Sequence, residues 1–244
     1  MTDEKRVVLV VGAGDYIGAA ICRRFAREGF IVCMGRRNPE KLEPLVLEVQ
    51  KLGADAYPFK LDARTDEDIE LVFAEIEENI GPLEVVVFNV GGNVRSPVLE
   101  TTTRVFRKVW EMACLAGFLT GREAARYMLP RSRGSIFFTG ATASMRGGIG
   151  FSAFASAKFG LRALAQSLAR ELDPQGIHVA HLVIDAGVDT AWVRERLKER
   201  GFDKVDDDVL MDPDSVAEAY WYLHNQKRDA WTFELDVRPF AEKW

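Results

Sequence analysis

Cysteine is scarce in this chain of 244 residues: three, at Cys22, Cys33 and Cys114. An odd, scattered count offers no disulfide framework and no zinc spacing, so a reducing cytoplasm is expected. Histidine is as scarce. His178 and His181 stand three apart on a predicted strand, which turns them to opposite faces, and His224 lies far away on a predicted helix. No metal site follows. Positive charge is not in excess, with 32 Lys and Arg against 37 Asp and Glu and a net charge of −5. That is not the balance of a nucleic-acid binder. Apolar runs such as Val7–Val11 fall far short of the ~18 residues that cross a membrane. Residues 1–6 lack the apolar stretch of a signal peptide. Neither a nucleic acid nor a membrane is expected as a partner; a small-molecule substrate is.

Hydrophobic residues at 48% and charged ones at 28% are ordinary for a globular protein, large enough for one α/β domain. The periodicity alternates. Short β-branched runs at Val7–Val11, Ile31–Met34, Asp55–Phe59, Glu84–Phe88, Ser135–Thr139, Ile177–Ile184 and Trp231–Val237 predict strands. Amphipathic stretches at Ile17–Glu28, Pro39–Lys51, Asp66–Ile80, Phe106–Met128, Phe154–Leu172 and Val216–Asn225 predict helices. Strand and helix in turn mean a doubly wound, Rossmann-type α/β fold: a parallel sheet with helices on both faces, one domain over residues 1–244. The charged stretch 189–212 has no clear period and is expected to form a loop or a helical flap on the substrate side. The aromatics Tyr220, Trp221, Tyr222, Trp231, Phe233 and Trp244 suit a core or a subunit interface.

The first strand runs into Gly12, Ala13, Gly14, Asp15, Tyr16, Ile17 and Gly18, and then a helix. Glycines at that turn let the backbone approach a pyrophosphate, which the helix N-terminus attracts. The second strand ends in Gly35, Arg36 and Arg37, with no acid there for the ribose hydroxyls. Guanidinium groups suit a 2′-phosphate, so NADP(H) is favoured over NAD(H), although Asp15 sits in the same loop.

Further motifs make the chain resemble the short-chain dehydrogenase/reductase family from Val7 to about Val237. They are Asp62-Ala63 after the third strand, Asn89-Val90-Gly91-Gly92 after the fourth, and Phe154-Ala155-Ser156-Ala157-Lys158. The resemblance implies that Asp62 and Ala63 face the adenine and that Asn89, Val90 and Gly91 line the cofactor cleft. It also implies that Lys158 bonds the nicotinamide ribose, that Thr190 meets the nicotinamide amide, and that the protein is a homodimer or homotetramer. The family's usual catalytic set is Asn, Ser, Tyr and Lys. Here Phe154 stands four residues before Lys158, Ala141 falls at the serine position, and Ala113 and Cys114 fall at the asparagine. Tyr16 takes the place of a glycine in the turn, and Asp185-Ala186 that of Pro-Gly after the sixth strand. A phenyl ring has no proton to give. Thr142, next to Ala141, is the candidate replacement donor. Three functions are compatible: an oxidoreductase acting on carbonyl and alcohol groups with a non-standard proton donor, a non-redox enzyme on the same fold, and a catalytically silent dinucleotide-binding sensor or subunit.

Overall fold

The computed structural model describes residues 5–199, 201 and 209–242. Its centre is β1 (Val7–Val11), in which all five residues are buried. A β-branched run buried on both faces is the signature of an internal parallel strand. Val7, Leu9 and Val11 enter one apolar cluster, and Val8 and Val10 enter the other. Around β1 lie β2 (Ile31–Arg36), β3 (Ala56–Lys60), β4 (Leu83–Phe88), β5 (Gly134–Thr139), β6 (Ile177–Ile184) and β7 (Glu234–Val237). All pair in parallel, in the order β3-β2-β1-β4-β5-β6-β7.

One face is covered by α1 (Ile17–Arg27), α2 (Glu43–Lys51) and α8 (Pro213–His224), through residues such as Phe25, Val49 and Tyr220. The other carries α3 (Asp66–Glu75), α5 (Ala116–Met128) and α6 (Ser152–Leu172), through Phe73, Leu119 and Leu161. α4 (Thr103–Trp110) and α7 (Ala191–Glu199) lie beside the sheet's C-terminal edge loops. The strand order reverses between β1 and β4. In such sheets ligands bind at that reversal, outside the carboxyl ends of the strands.

Four local expectations need correction. The long helix of Phe106–Met128 is two helices, α4 and α5, joined by a wider π-turn at Glu111–Leu115. The helix of Asp66–Ile80 likewise ends in a π-turn at Ile76–Ile80. Pro39–Leu42 is a 3-10 turn ahead of α2. The last strand begins at Glu234 rather than Trp231; Trp231, ahead of it, stacks on His178 with ring centroids 4.8 Å apart. The flap contains α7 and one bridge, Val188 to Met211; its residues 200 and 202–208, and Trp244, lie outside the described residues.

The sheet's far edge is fastened by charge. Glu234 on β7 accepts both arms of Arg162 from α6 at 2.6 Å and the buried His181 Nδ1 from β6 at 3.0 Å. Burial pushes the His181 imidazole down to about 4, with Glu234 pulling the other way. Glu234 stays below the usual carboxylate range: burial would raise it, and the bonds from Arg162 and His181 outweigh that. An unfolded histidine takes its proton near 6.5, so between about pH 6.5 and 4 the unfolded chain binds the extra proton. Stability is therefore whole above that window and falls on acidification through it, at up to ~1.4 kcal/mol per pH unit. Urea unfolding at about pH 7 and about pH 5 is expected to show a smaller loss in His181→Leu than in the parent. Equal losses contradict it.

Candidate active site

The glycine-rich turn is built for close approach. Gly12 has φ +90°, and its N–H donates to Gly35 O at 3.0 Å. A Cβ there would lie 2.7 Å from Asn89 O, and one on Gly18 would lie 2.5 Å from Gly12 O. Larger residues would push the turn off the sheet. No side chain caps α1, and its first turn has no acid, so its amide end is left for an anion. Gly14 and Val90 border the cleft along with Asn89 and Gly91. A cavity of about 210 Å³ opens beyond the turn, between Gly12 and Gly35 and the side chains of Arg36, Arg37, Asp62 and Arg64. Arg36 donates to Asp15 at 2.8 Å, so the carboxylate of the loop is neutralised by the arginine beside it. Asp62 receives Arg64 on both oxygens, and this pairing holds it below the usual carboxylate range. Ala63 lies on the same wall. The site accommodates a dinucleotide: a bare backbone turn, an uncapped helix end and a basic pocket fall in line.

The second half of the crevice is a cavity of about 1030 Å³ at the ends of β5 and β6. Lys158 on α6 is buried at its floor. Its Nζ donates to Thr139 O at 2.7 Å and to Val90 O at 3.4 Å. No carboxylate neutralises it. Burial brings its pKa down to about 8, with Cys114 opposing. Phe154, one helical turn earlier, places its ring centroid 5.9 Å from the ammonium. Ala141 stands on the wall with Thr142. Thr142 borders the cavity near the buried carboxylate of Asp185, which Arg146 grips. Cys114 sits within the π-turn, where burial raises its thiol pKa. A Cβ on Gly160 would lie 2.9 Å from its Sγ, so α6 packs hard against that turn.

Thr190 accepts from Val193 N at 3.1 Å and so starts α7 at the cavity rim. Tyr16 reaches across, and its hydroxyl accepts from Ala191 N at 3.1 Å. Ile17 and Gly18 border the same cavity, so the turn and the flap close one space. His178 and His181 take no part. Among the described residues no cluster of His, Cys, Asp or Glu could hold a metal, and no helix is long and apolar enough to cross a membrane.

Three participants escaped the sequence reading: Thr139, Tyr220 and Arg146. Thr139 Oγ1 donates to Asn89 Oδ1 at 3.1 Å, so the buried Tyr220 hydroxyl, 2.6 Å away, must donate to Thr139. Asn89 Nδ2 in turn donates to Gly12 O at 3.1 Å. A one-way chain thus runs from α8 to the glycine-rich turn. A threonine closing a buried strand was its only signal in the sequence.

Residues 6–201 match the family model for short chain dehydrogenase. The chain belongs to that family. It is 30% identical over 177 residues to a short-chain dehydrogenase/reductase of Armillaria gallica, covering 71% of this chain and 68% of that protein. It superposes on the crystal structure of a short-chain dehydrogenase from Rhodopseudomonas palustris with a TM-score of 0.82 and 54% identity, over 96% of this chain and 99% of that one. Actinorhodin polyketide ketoreductase, solved with NADPH, gives a TM-score of 0.89 at 26% identity, covering 98% and 97%. Family membership makes this an oxidoreductase of the NAD(P)-dependent short-chain dehydrogenase type.

Tyr220→Phe removes the first donor of the chain. A stability loss of about 1 kcal/mol is expected, with several-fold weaker cofactor binding as the turn loosens. Unchanged cofactor affinity in a destabilised variant would break the link between α8 and the turn.

Proposed function

We propose that the chain is an NADP(H)-dependent oxidoreductase that interconverts a small carbonyl compound and its alcohol, with Lys158 in place of a phenol as the proton-handling group. The observation that carries this is the buried Lys158 ammonium at the cavity floor, beside a Phe154 ring that cannot exchange a proton. The bound cofactor supplies or accepts the hydride. Gly12, Gly14, Ile17 and Gly18 would hold its pyrophosphate, with Tyr16 bracing the turn. Arg36 and Arg37 would take the 2′-phosphate, Asp62 and Ala63 the adenine side, and Asn89, Val90, Gly91 and Thr190 the nicotinamide half. Two of the three ammonium protons of Lys158 go to main-chain carbonyls. The third is available to an oxygen gaining charge in the cavity. A pKa of about 8 suits an acid working near neutrality. Water in the open cavity would replace the proton.

Phe154 and Ala141 occupy the places of the family's tyrosine and serine. Those features favour the second reading, a silent dinucleotide-binding protein. NADPH oxidation with a panel of ketones separates the two. The proposed enzyme turns over slowly, prefers NADPH to NADH, and loses that preference in Arg37→Ala. Phe154→Tyr restores a phenol one helical turn from Lys158 and is expected to raise turnover by about 10²-fold. NADPH binding with no turnover in any variant supports the silent reading. Equal affinities for the two cofactors overturn the preference.

We also propose a homodimer or homotetramer. Trp110, Phe118 and Phe159 are each about 40% exposed on α4, α5 and α6. Light scattering should give a multiple of the chain mass at micromolar concentration; a monomer contradicts it.

A further inference from the structure

The large cavity carries more basic groups than the reaction above uses. Arg146 and Arg196 stand on its wall, away from the glycine-rich turn. Arg146 follows the 3-10 turn Thr142–Ser144. Its Nη1 and Nη2 donate to the two oxygens of Asp185 at 3.0 and 2.9 Å. Asp185 is buried, so the guanidinium is held on a fixed carboxylate. The side chain of Arg146 remains 47% exposed, with N–H groups unspent on Asp185. A fork locked on one edge and open on the other is preorganised for a planar anion.

Arg196 differs. Its guanidinium lies over Trp192, 4.6 Å from the ring centroid, with no carboxylate partner among the described residues. The acids bordering the same cavity are Asp15 and Glu242, and Asp15 is taken by Arg36. Lys158 and Arg196 therefore face a single unspent acid, Glu242. The remaining wall is largely apolar: Phe151, Phe154, Val188, Val193 and Leu210. Charge of one sign at the rim and hydrocarbon beneath it select a molecule that is apolar at one end and anionic at the other.

We propose that the substrate is an apolar oxo acid, whose carboxylate is bound by Arg146 and drawn in by Arg196 while its carbonyl reaches Lys158. This rests on the carbonyl-reductase reading and narrows its substrate class. A planar carboxylate matches the open edge of one fixed fork, and a neutral ketone offers no anion to that edge or to Arg196.

The test compares oxo acids with their carboxamides, matched in size, as substrates with NADPH. The expected result is a kcat/KM at least about tenfold higher for the acid, the range of a hydrogen bond to a charged group. Arg196→Gln and Arg146→Lys should raise KM for the acid several-fold more than KM for the carboxamide. Arg146→Lys keeps a cation beside buried Asp185 and so preserves the fold. Equal kcat/KM for the pair, or variants that affect both alike, overturn the proposal. Should no ketone be turned over, calorimetry with phenylacetate and phenylacetamide on the NADP(H) complex tests the anion site alone. Saturable binding of phenylacetate only, weakened in Arg196→Gln, upholds the anion site while the reductase reading falls. No binding of phenylacetate, or equal binding of both, overturns it.

Discussion

A buried ammonium without a carboxylate is the constraint on which the crevice depends. Lys158 is held by two main-chain carbonyls, Thr139 O at the end of β5 and Val90 O after β4. Removing such a charge from water is costly, and carbonyl dipoles offset it only in part. The lowered pKa is the visible remainder of that cost. β4 and β5 must therefore stay in register for the cation to be solvated. The hydroxyl of the same Thr139 receives Tyr220 and passes the constraint through Asn89 to Gly12. One residue thus joins the Lys158 end of the crevice to the glycine-rich turn.

The two ends use charge differently. At the adenosine end the acids are spent on neighbouring arginines, Asp15 on Arg36 and Asp62 on Arg64. These partly exposed pairs add little stability. Their effect is to position guanidinium groups around a basic pocket. At the reaction end Asp185 does the same for Arg146, but from a buried position, so the geometry is stiffer. Tyr16 then ties the glycine-rich turn to α7, which lets the flap sense the turn. The distal edge, with Glu234 between Arg162 and His181, is a separate fastening that bears on acid stability.

Much of the fold was legible because its signals are local. Val7–Val11 is a continuous apolar run and Ile177–Ile184 an apolar run interrupted only by His178 and His181, and both strands begin and end where the runs do. The glycine-rich turn reads from its spacing, since Gly12 and Gly18 stand where a Cβ has no room. Helix interruptions were not legible: the π-turn at Glu111–Leu115 falls inside the stretch whose period reads as one helix, and there Cys114 packs closely on Gly160 of α6. The site divides likewise. Lys158 and Phe154 share one helix, so their spacing shows their relation. Tyr220 and Thr139 are 81 residues apart and meet only through the parallel sheet. Arg146 and Asp185 are 39 residues apart and are likewise paired only by the fold.

The account turns on Lys158 as the ionising group of the reaction, and the pH dependence of kcat/KM for carbonyl reduction tests that most directly. The ammonium form is the donor, so the rate should be level on the acid side and fall as pH rises through about 8. In Phe154→Tyr a phenol shares the proton and the descending limb should move. A profile that stays flat well above pH 8 in the parent enzyme, at saturating cofactor, would contradict a proton drawn from Lys158.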